Sequence, residues 1–193
     1  TNKSSGKMGN SIAEQAFLRG ADVFLLRGHN SAEPHYNINE EKFTTVDDLF
    51  RKIKRNIKNV DIIVHAAAVS DFELDTKREK KIKSNRELHL ELTPTTKILE
   101  NLKKLNKKIF LVGFKAEYNF SKDELVSSAY NILKSSEADL IVANDVGKEN
   151  TGFDVDTNEV FVVDKNKKFE HIRLSDKRVV ADRVLDIIIR NIK

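Results

Sequence analysis

Residues 61–69 read Asp-Ile-Ile-Val-His-Ala-Ala-Ala-Val, "DIIVHAAAV". The run is apolar without alternation, and at this length it suits a strand better than a helix. A strand that is apolar at successive positions is buried on both faces, as in a parallel sheet covered by helices. Three further runs share this character: "DVFLLRG" (22–28), "KIFLVGF" (108–114) and "DLIVANDV" (139–146). Helical patterns separate them. Leu49, Phe50, Ile53 and Ile57 recur at helical spacing within 47–59, and Ile12, Ala13, Ala16 and Phe17 do so near the N-terminus. "TTKILENLKKLN" (95–106) predicts a helix with a threonine as N-cap. Residues 121–138 open with a capping box, Ser121 to Glu124. The chain closes with a predicted hairpin around Asn166 (158–174) and an amphipathic helix (175–193) capped by Ser175. The expectation is an α/β fold with a mostly parallel sheet and a C-terminal antiparallel hairpin, forming one domain over 1–193.

Composition narrows the function. With 193 residues and 33% charge spread along the chain, a globular core is expected. No apolar run reaches the length of a membrane span, and no signal-peptide pattern precedes the first helix. The absence of cysteine excludes disulfides, thiolate metal sites and a cysteine nucleophile, and it fits a reducing cytoplasm. Membrane and nucleic-acid partners are not expected. The net charge of +4 suits a small anionic ligand, or simply a lysine-rich solvated surface.

In open α/β sheets, ligands bind beyond the carboxyl ends of the parallel strands. Those ends are Gly28, 67–71, 113–117 and Asn144–Asp145. "TNKSSGKMG" (1–9) reads as the first strand-to-helix turn, its strand lying upstream of Thr1. A glycine-punctuated turn at a helix start exposes N–H groups to an anion, although it also serves as a plain structural turn. The small residues of "HAAAVSDF" (65–72) admit a flat ligand or close helix packing, and His65 reads as a core histidine. Segment 71–94, dense in lysine, reads as an active-site lid. Tyr130 and Lys134 form a Y-x-x-x-K pair, as in NADP-dependent short-chain reductases, with Arg27 available for a 2′-phosphate. Glu117 and Tyr118 occupy the region where that family needs a serine. A non-catalytic nucleotide-binding domain is the other alternative.

Taken in order, "TNKSSGKMG", "AAAVSDF", "KIKS", "LVGFKAE", "DLIVANDV" and "GFDVDTNEV" resemble phosphopantothenate–cysteine ligase, the synthetase half of the bifunctional coenzyme A biosynthesis flavoprotein. The resemblance implies a Rossmann-like three-layer fold, a homodimer, and natural fusion to a flavin-dependent decarboxylase domain. It implies ligation of 4′-phosphopantothenate to cysteine through an acyl-nucleotide, with CTP as co-substrate and Mg2+ accompanying it. FMN is not expected to bind this chain.

The same resemblance assigns residues. Asn2 matches an asparagine that contacts the acyl-nucleotide, and Lys81 matches the lysine needed to form it. Ser4, Ser5, Gly6, Lys7, Met8 and Gly9 match the phosphate turn. Ala66, Ala67, Ala68 and Asp71 match the strand end that holds the nucleotide, with Ala67 also facing substrate. Thr96, Lys97, Ile98 and Leu99 match the nucleotide wall, and Phe114 lies beside the base. Asn144 and Asp145 match a substrate-side "AND". There are departures. "TPTTKIL" replaces the bacterial "NPDIL", and the family's lysine pair for the triphosphate falls on Ile132 and Ser136, leaving Lys134 or Lys115 as substitutes. Lys115 in "GFKAE" is also similar to the ATP-using eukaryotic enzymes.

Overall fold

The computed structural model describes residues 4–74, 89–152 and 154–192. Its elements, in chain order, are α1 (Lys7–Leu18), β1 (Phe24–Gly28), β2 (Asn39–Phe43), α2 (Val46–Asn56) with a 3-10 turn (Ile57–Asn59), β3 (Ile62–His65), β4 (Phe72–Leu74), β5 (Leu92–Pro94), α3 (Ile98–Leu105), β6 (Phe110–Glu117), α4 (Lys122–Ser136), β7 (Leu140–Asp145), β8 (Thr157–Asp164), β9 (Phe169–Asp176) and α5 (Lys177–Asn191).

A five-stranded sheet runs β3-β6-β7-β8-β9. β3, β6 and β7 are parallel, whereas β8 and β9 are antiparallel, so the sheet is mixed as expected. Successive side chains of a strand point to opposite faces, and here both faces are covered. Ile63, Leu111, Ile141, Ala143 and Val163 meet Leu49 and Ile53 of α2, Ile98 and Leu102 of α3, and Leu125 and Leu133 of α4. Val64, Val112, Val142 and Val162 meet Ile12 of α1 and Val180, Val184 and Ile188 of α5. Every residue of β7 is buried, which explains the apolar run at 140–143; the buried Asn144 and Asp145 that follow are hydrogen-bonded.

Local chemistry sets the boundaries. The Ser121–Glu124 capping box is present at α4. In the β8–β9 turn, the Asp164 carboxylate accepts from the N–H groups of Asn166 and Lys168, both at 2.9 Å. Two predicted caps are corrected. α5 is capped by Asp176, which accepts from Arg178 N at 2.8 Å, because β9 extends one residue past Ser175. α3 starts at Ile98 with no side-chain cap. Thr95 is instead bound to the preceding loop, its N–H and hydroxyl donating to the carbonyls of Asp71 and Ser70.

Two features escaped the sequence pattern. β2, "NEEKF", pairs in parallel with β1 as a separate sheet, and Leu26 and Phe43 of that pair pack on the α2–α4 core. β4 and β5 form an antiparallel ribbon at the ends of the predicted lid segment, whose residues 75–88 lie outside the described residues. Among the described residues, no helix is long and apolar enough to cross a membrane.

Candidate active site

The carboxyl ends of β3, β6 and β7 meet helix starts from both faces. On one face, α1 approaches β3: a Cβ on Gly9 would stand 3.9 Å from the Ala66 Cβ, an ordinary contact. Gly6, the N-cap, has φ +75°, and a Cβ there would come within 2.6 Å of the Ser31 Cβ. Glycine is therefore required at this turn for both conformation and space. Among the described residues no side chain caps α1, and the start of a helix, with its free N–H groups and dipole, suits an anion. The turn (4–9) and the alanine strand end (66–68), far apart in sequence, thus adjoin in space.

On the other face sits the start of α3. The Lys97 ammonium pairs with the Asp71 carboxylate, and Thr95 ties down the same loop. A Cβ on Gly113 would lie 2.7 Å from the side chains of both Leu99 and Ile141, so glycine here lets Leu99 pack directly over β6. Asp71 and Lys97 thus meet directly, and Leu99 lies over β6 at Gly113, which pairs with His65 at the end of β3. Ile98 is 1% exposed, so its side chain anchors the helix in the core, and only its backbone faces the loop. Phe114 packs against the α1–α5 core, on the face opposite Leu99.

At the end of β7 the roles divide. The Asp145 carboxylate accepts from Asn119 N at 2.9 Å and Gly147 N at 2.8 Å, which joins two loops; this is turn capping. Asn144 donates to Asn158 Oδ1 at 3.3 Å, next to Met8. The Lys7 ammonium turns away from β3 to Asp156, at 2.7 Å. Lys177, which sequence reasoning missed, is buried beside it and donates to the carbonyls of Gly152 and Val155. Burial, then the nearby Lys7 charge, lowers its pKa. A lysine at a helix start carries no pattern that marks it.

Several candidates separate by position. Lys115 stands at the strand-end side of β6, 3.2 Å from Glu117, which also accepts from Ser128. Lys134 sits over the Tyr130 ring, with Lys167 of the β8–β9 turn on the same ring. That turn adjoins the start of β7, since Asp164 pairs with Leu140. Tyr130 and Lys134 are thus at the opposite end of the sheet from 66–68, which removes the structural basis of the reductase alternative. Arg27 is 5% exposed and committed to Glu40, Glu33 and the Ser31 carbonyl, so it does not offer itself to a 2′-phosphate. Asn2 and Lys81 lie outside the described residues. Among those described, no three His, Asp or Glu side chains are clustered as metal ligands.

His65 lies on β3, paired with Gly113, and burial pushes its pKa down to about 4. A folded-state value below the unfolded one means that the unfolded chain binds the proton first. Stability therefore falls as pH drops from about 6.5 to about 4. The slope is at most about 1.4 kcal/mol per pH unit. Urea unfolding at pH 7 and pH 4.5 is expected to show this loss, and His65→Gln is expected to remove most of it; an equal pH slope in the variant would contradict the assignment.

Comparison with known proteins follows the same lines. Residues 1–192 match the family described as DNA/pantothenate metabolism flavoprotein C-terminal domain. The chain is 42% identical, over 97% of its length, to the coenzyme A biosynthesis bifunctional protein CoaBC of Thermococcus kodakarensis, and covers 46% of that protein. It thus spans about half the length of such curated relatives. Its fold is similar to the DNA/pantothenate metabolism flavoprotein of Streptococcus pneumoniae, with a TM-score of 0.82 and 27% identity over 96% of this chain and 88% of that one. It is also similar to the C-terminal domain of a CoaBC protein, with a TM-score of 0.76 and 30% identity over 97% and 84% of the two chains. With a matching fold, a turn and strand end that adjoin, and a family match running from end to end, the chain belongs to the DNA/pantothenate metabolism flavoprotein C-terminal domain family.

Proposed function

We propose that this chain is a phosphopantothenate–cysteine ligase acting in coenzyme A biosynthesis. The observation that carries this reading is the family match over residues 1–192. The adjoining of α1's uncapped start and the strand end at Ala66 supports it. In the first half-reaction, a carboxylate oxygen of 4′-phosphopantothenate attacks the α-phosphorus of the nucleoside triphosphate. The bond from that phosphorus to the bridging oxygen breaks, and pyrophosphate leaves. In the second, the cysteine amine attacks the acyl carbon, the bond to the nucleotide oxygen breaks, and the nucleoside monophosphate leaves as the amine loses a proton to solvent.

The proposed roles follow position. The backbone of residues 4–9 and the first N–H groups of α1 hold phosphate, and Ala66, Ala67 and Ala68 let the nucleotide lie against the backbone. Asp71, Thr96, Lys97 and Leu99 wall the nucleotide from the α3 side, and Phe114 lies beside the base. Asn2 and Ala67 contact the acyl group, and Lys81 supplies positive charge at the reacting phosphorus. Asn144 serves the substrate side, with Asp145 shaping the loop behind it. Lys115, at the strand-end side, is better placed than Lys134 to substitute for the family's triphosphate lysines. Magnesium arrives on the triphosphate.

A homodimer, a cytoplasmic location and fusion to a flavin-dependent decarboxylase complete the reading.

CTP is the proposed nucleotide. Backbone groups near 66–68 and Phe114 read a cytosine edge and leave little room for a purine. Incubation with magnesium, 4′-phosphopantothenate, cysteine and either nucleotide tests both points. Formation of phosphopantothenoylcysteine with kcat/KM at least about tenfold higher for CTP is expected, a difference of about 1.4 kcal/mol. Comparable values would defeat the CTP preference, and no product with either nucleotide would defeat the ligase reading.

A further inference from the structure

Residues 28–35 form a strap across the α1 turn. Ala32 N donates to the Ser5 carbonyl at 2.9 Å, and Asn10 Nδ2 donates to the Ala32 carbonyl at 2.8 Å. Glu14 of α1, 5% exposed, accepts from the backbone N–H of His35 at 2.6 Å and lies 2.9 Å from its Nδ1. Ser31 stands against Gly6, leaving no room for a side chain there. From the other side the strap is held by Arg27, at the end of β1. Its Nε and Nη2 fork onto Glu40 at 2.6 and 3.0 Å. Nη2 also reaches Glu33 at 2.9 Å, and Nη1 donates to the Ser31 carbonyl at 3.1 Å.

We propose that Arg27 is a positioning residue for nucleotide binding: through Ser31 it holds the strap against Gly6 and so fixes the direction of the N–H groups of the phosphate turn. Gly6 at φ +75° has no side chain to confine it, and a glycine turn samples many conformations unless its neighbours restrict it. The restriction comes from Ser31 and Ala32; the Ser31 N–H and hydroxyl donate to the Gly28 carbonyl at 3.0 and 2.8 Å, and Arg27 adds the bond to the Ser31 carbonyl that ties this turn to β2. The guanidinium itself does not touch the ligand, because each of its nitrogens is already committed within the strap and β2. A lysine would keep the charge but not the planar fork that binds Glu40 and the Ser31 carbonyl together. This inference rests on the reading that residues 4–9 hold a nucleotide phosphate.

Calorimetric titration with magnesium–CTP, beside steady-state kinetics and thermal melting, tests it. Arg27→Lys is expected to raise the CTP Kd and KM roughly tenfold or more, with kcat changed far less. Ser31→Gly, which removes the wall against Gly6 without touching a charge, is expected to do the same; it decides the matter if Arg27→Lys does not fold. Glu41→Gln serves as the comparison. Glu41 neighbours Glu40 on β2, and its loss breaks the pairs to Lys52 and Arg55 of α2 without touching the strap, so CTP affinity is expected to stay at the parent value. Parent-like CTP affinity in both Arg27→Lys and Ser31→Gly would overturn the proposal. So would equal weakening by Glu41→Gln, which would mark a general effect of stability. A parent protein that binds no CTP would instead overturn the nucleotide reading itself, and this proposal with it.

Discussion

Replacing Lys81 by glutamine is expected to nearly abolish pyrophosphate release, by roughly 10²–10³ in rate, while CTP binding changes only several-fold. The attacking carboxylate is an anion, and its attack builds charge on the equatorial oxygens of the α-phosphate. Magnesium carried on the triphosphate would offset part of its charge, and the proposed mechanism still asks for a cation at the reacting phosphorus. A lysine brings a point charge on a flexible stem, strong in the transition state and weak in ground-state binding. The loss corresponds to about 3–4 kcal/mol, typical of one electrostatic contact in a water-poor site. Lys81 stands among Lys77, Lys80 and Lys83. If it were one solvated charge of this run, Lys77→Gln and Lys81→Gln would behave alike. The expectation is that Lys77→Gln changes little. Near-normal pyrophosphate release from Lys81→Gln would remove it from the mechanism.

The largest stability effect is expected at Asp139, at the opposite end of the sheet. Its carboxylate accepts from Leu111 N at 2.7 Å and from Lys103 at 2.6 Å, and pairs with Lys165 of the β8–β9 turn. Asp139 and Lys103 side chains are each 12% exposed. One carboxylate thus joins α3, β6, β7 and the hairpin. Asp139→Ala leaves the Lys103 ammonium and the Leu111 N–H without this acceptor, a loss of roughly 3–5 kcal/mol for a buried pair broken on one side. Burial alone would raise the Asp139 pKa, but the Leu111 N–H and the ammonium groups of Lys103 and Lys165 hold it below the ordinary value. The stabilisation is therefore full above the unfolded-state pKa and is lost as pH falls through the lower folded value. Urea denaturation at pH 7 measures the first effect; a change below about 1 kcal/mol, the worth of an exposed pair, would contradict it.

The sheet was legible because burial on both faces leaves its mark in the residues themselves: β6 and β7 read as apolar runs, and β7 is buried throughout, whereas β3, equally apolar, is only half-buried, with Ile62 exposed. β2 left no such mark. "NEEKF" carries three charges because, among the described residues, the strand is paired on one side alone, and Lys52, Arg55 and Arg27 neutralise its glutamates. The α5 cap was misplaced because Ser175 and Asp176 are both good caps, and only the length of β9 decides between them. Within the site, glycine and alanine positions were readable, since small residues at strand ends signal close approach. The direction of Lys7 was not. A lysine in a glycine turn suggests phosphate, but Asp156, 149 residues away, holds it instead. The strap was invisible for a similar reason, because Ser31 acts on Gly6 through shape alone.

The central claim is that this chain activates a carboxylate by joining it to a nucleotide. Mass spectrometry of the protein incubated with magnesium, CTP and 4′-phosphopantothenate, with cysteine withheld, tests it most directly. The account predicts a phosphopantothenoyl-cytidylate, formed together with pyrophosphate and consumed when cysteine is added. CTP binding without that species and without pyrophosphate would contradict it, and would leave a nucleotide-binding domain that does not carry out the ligation.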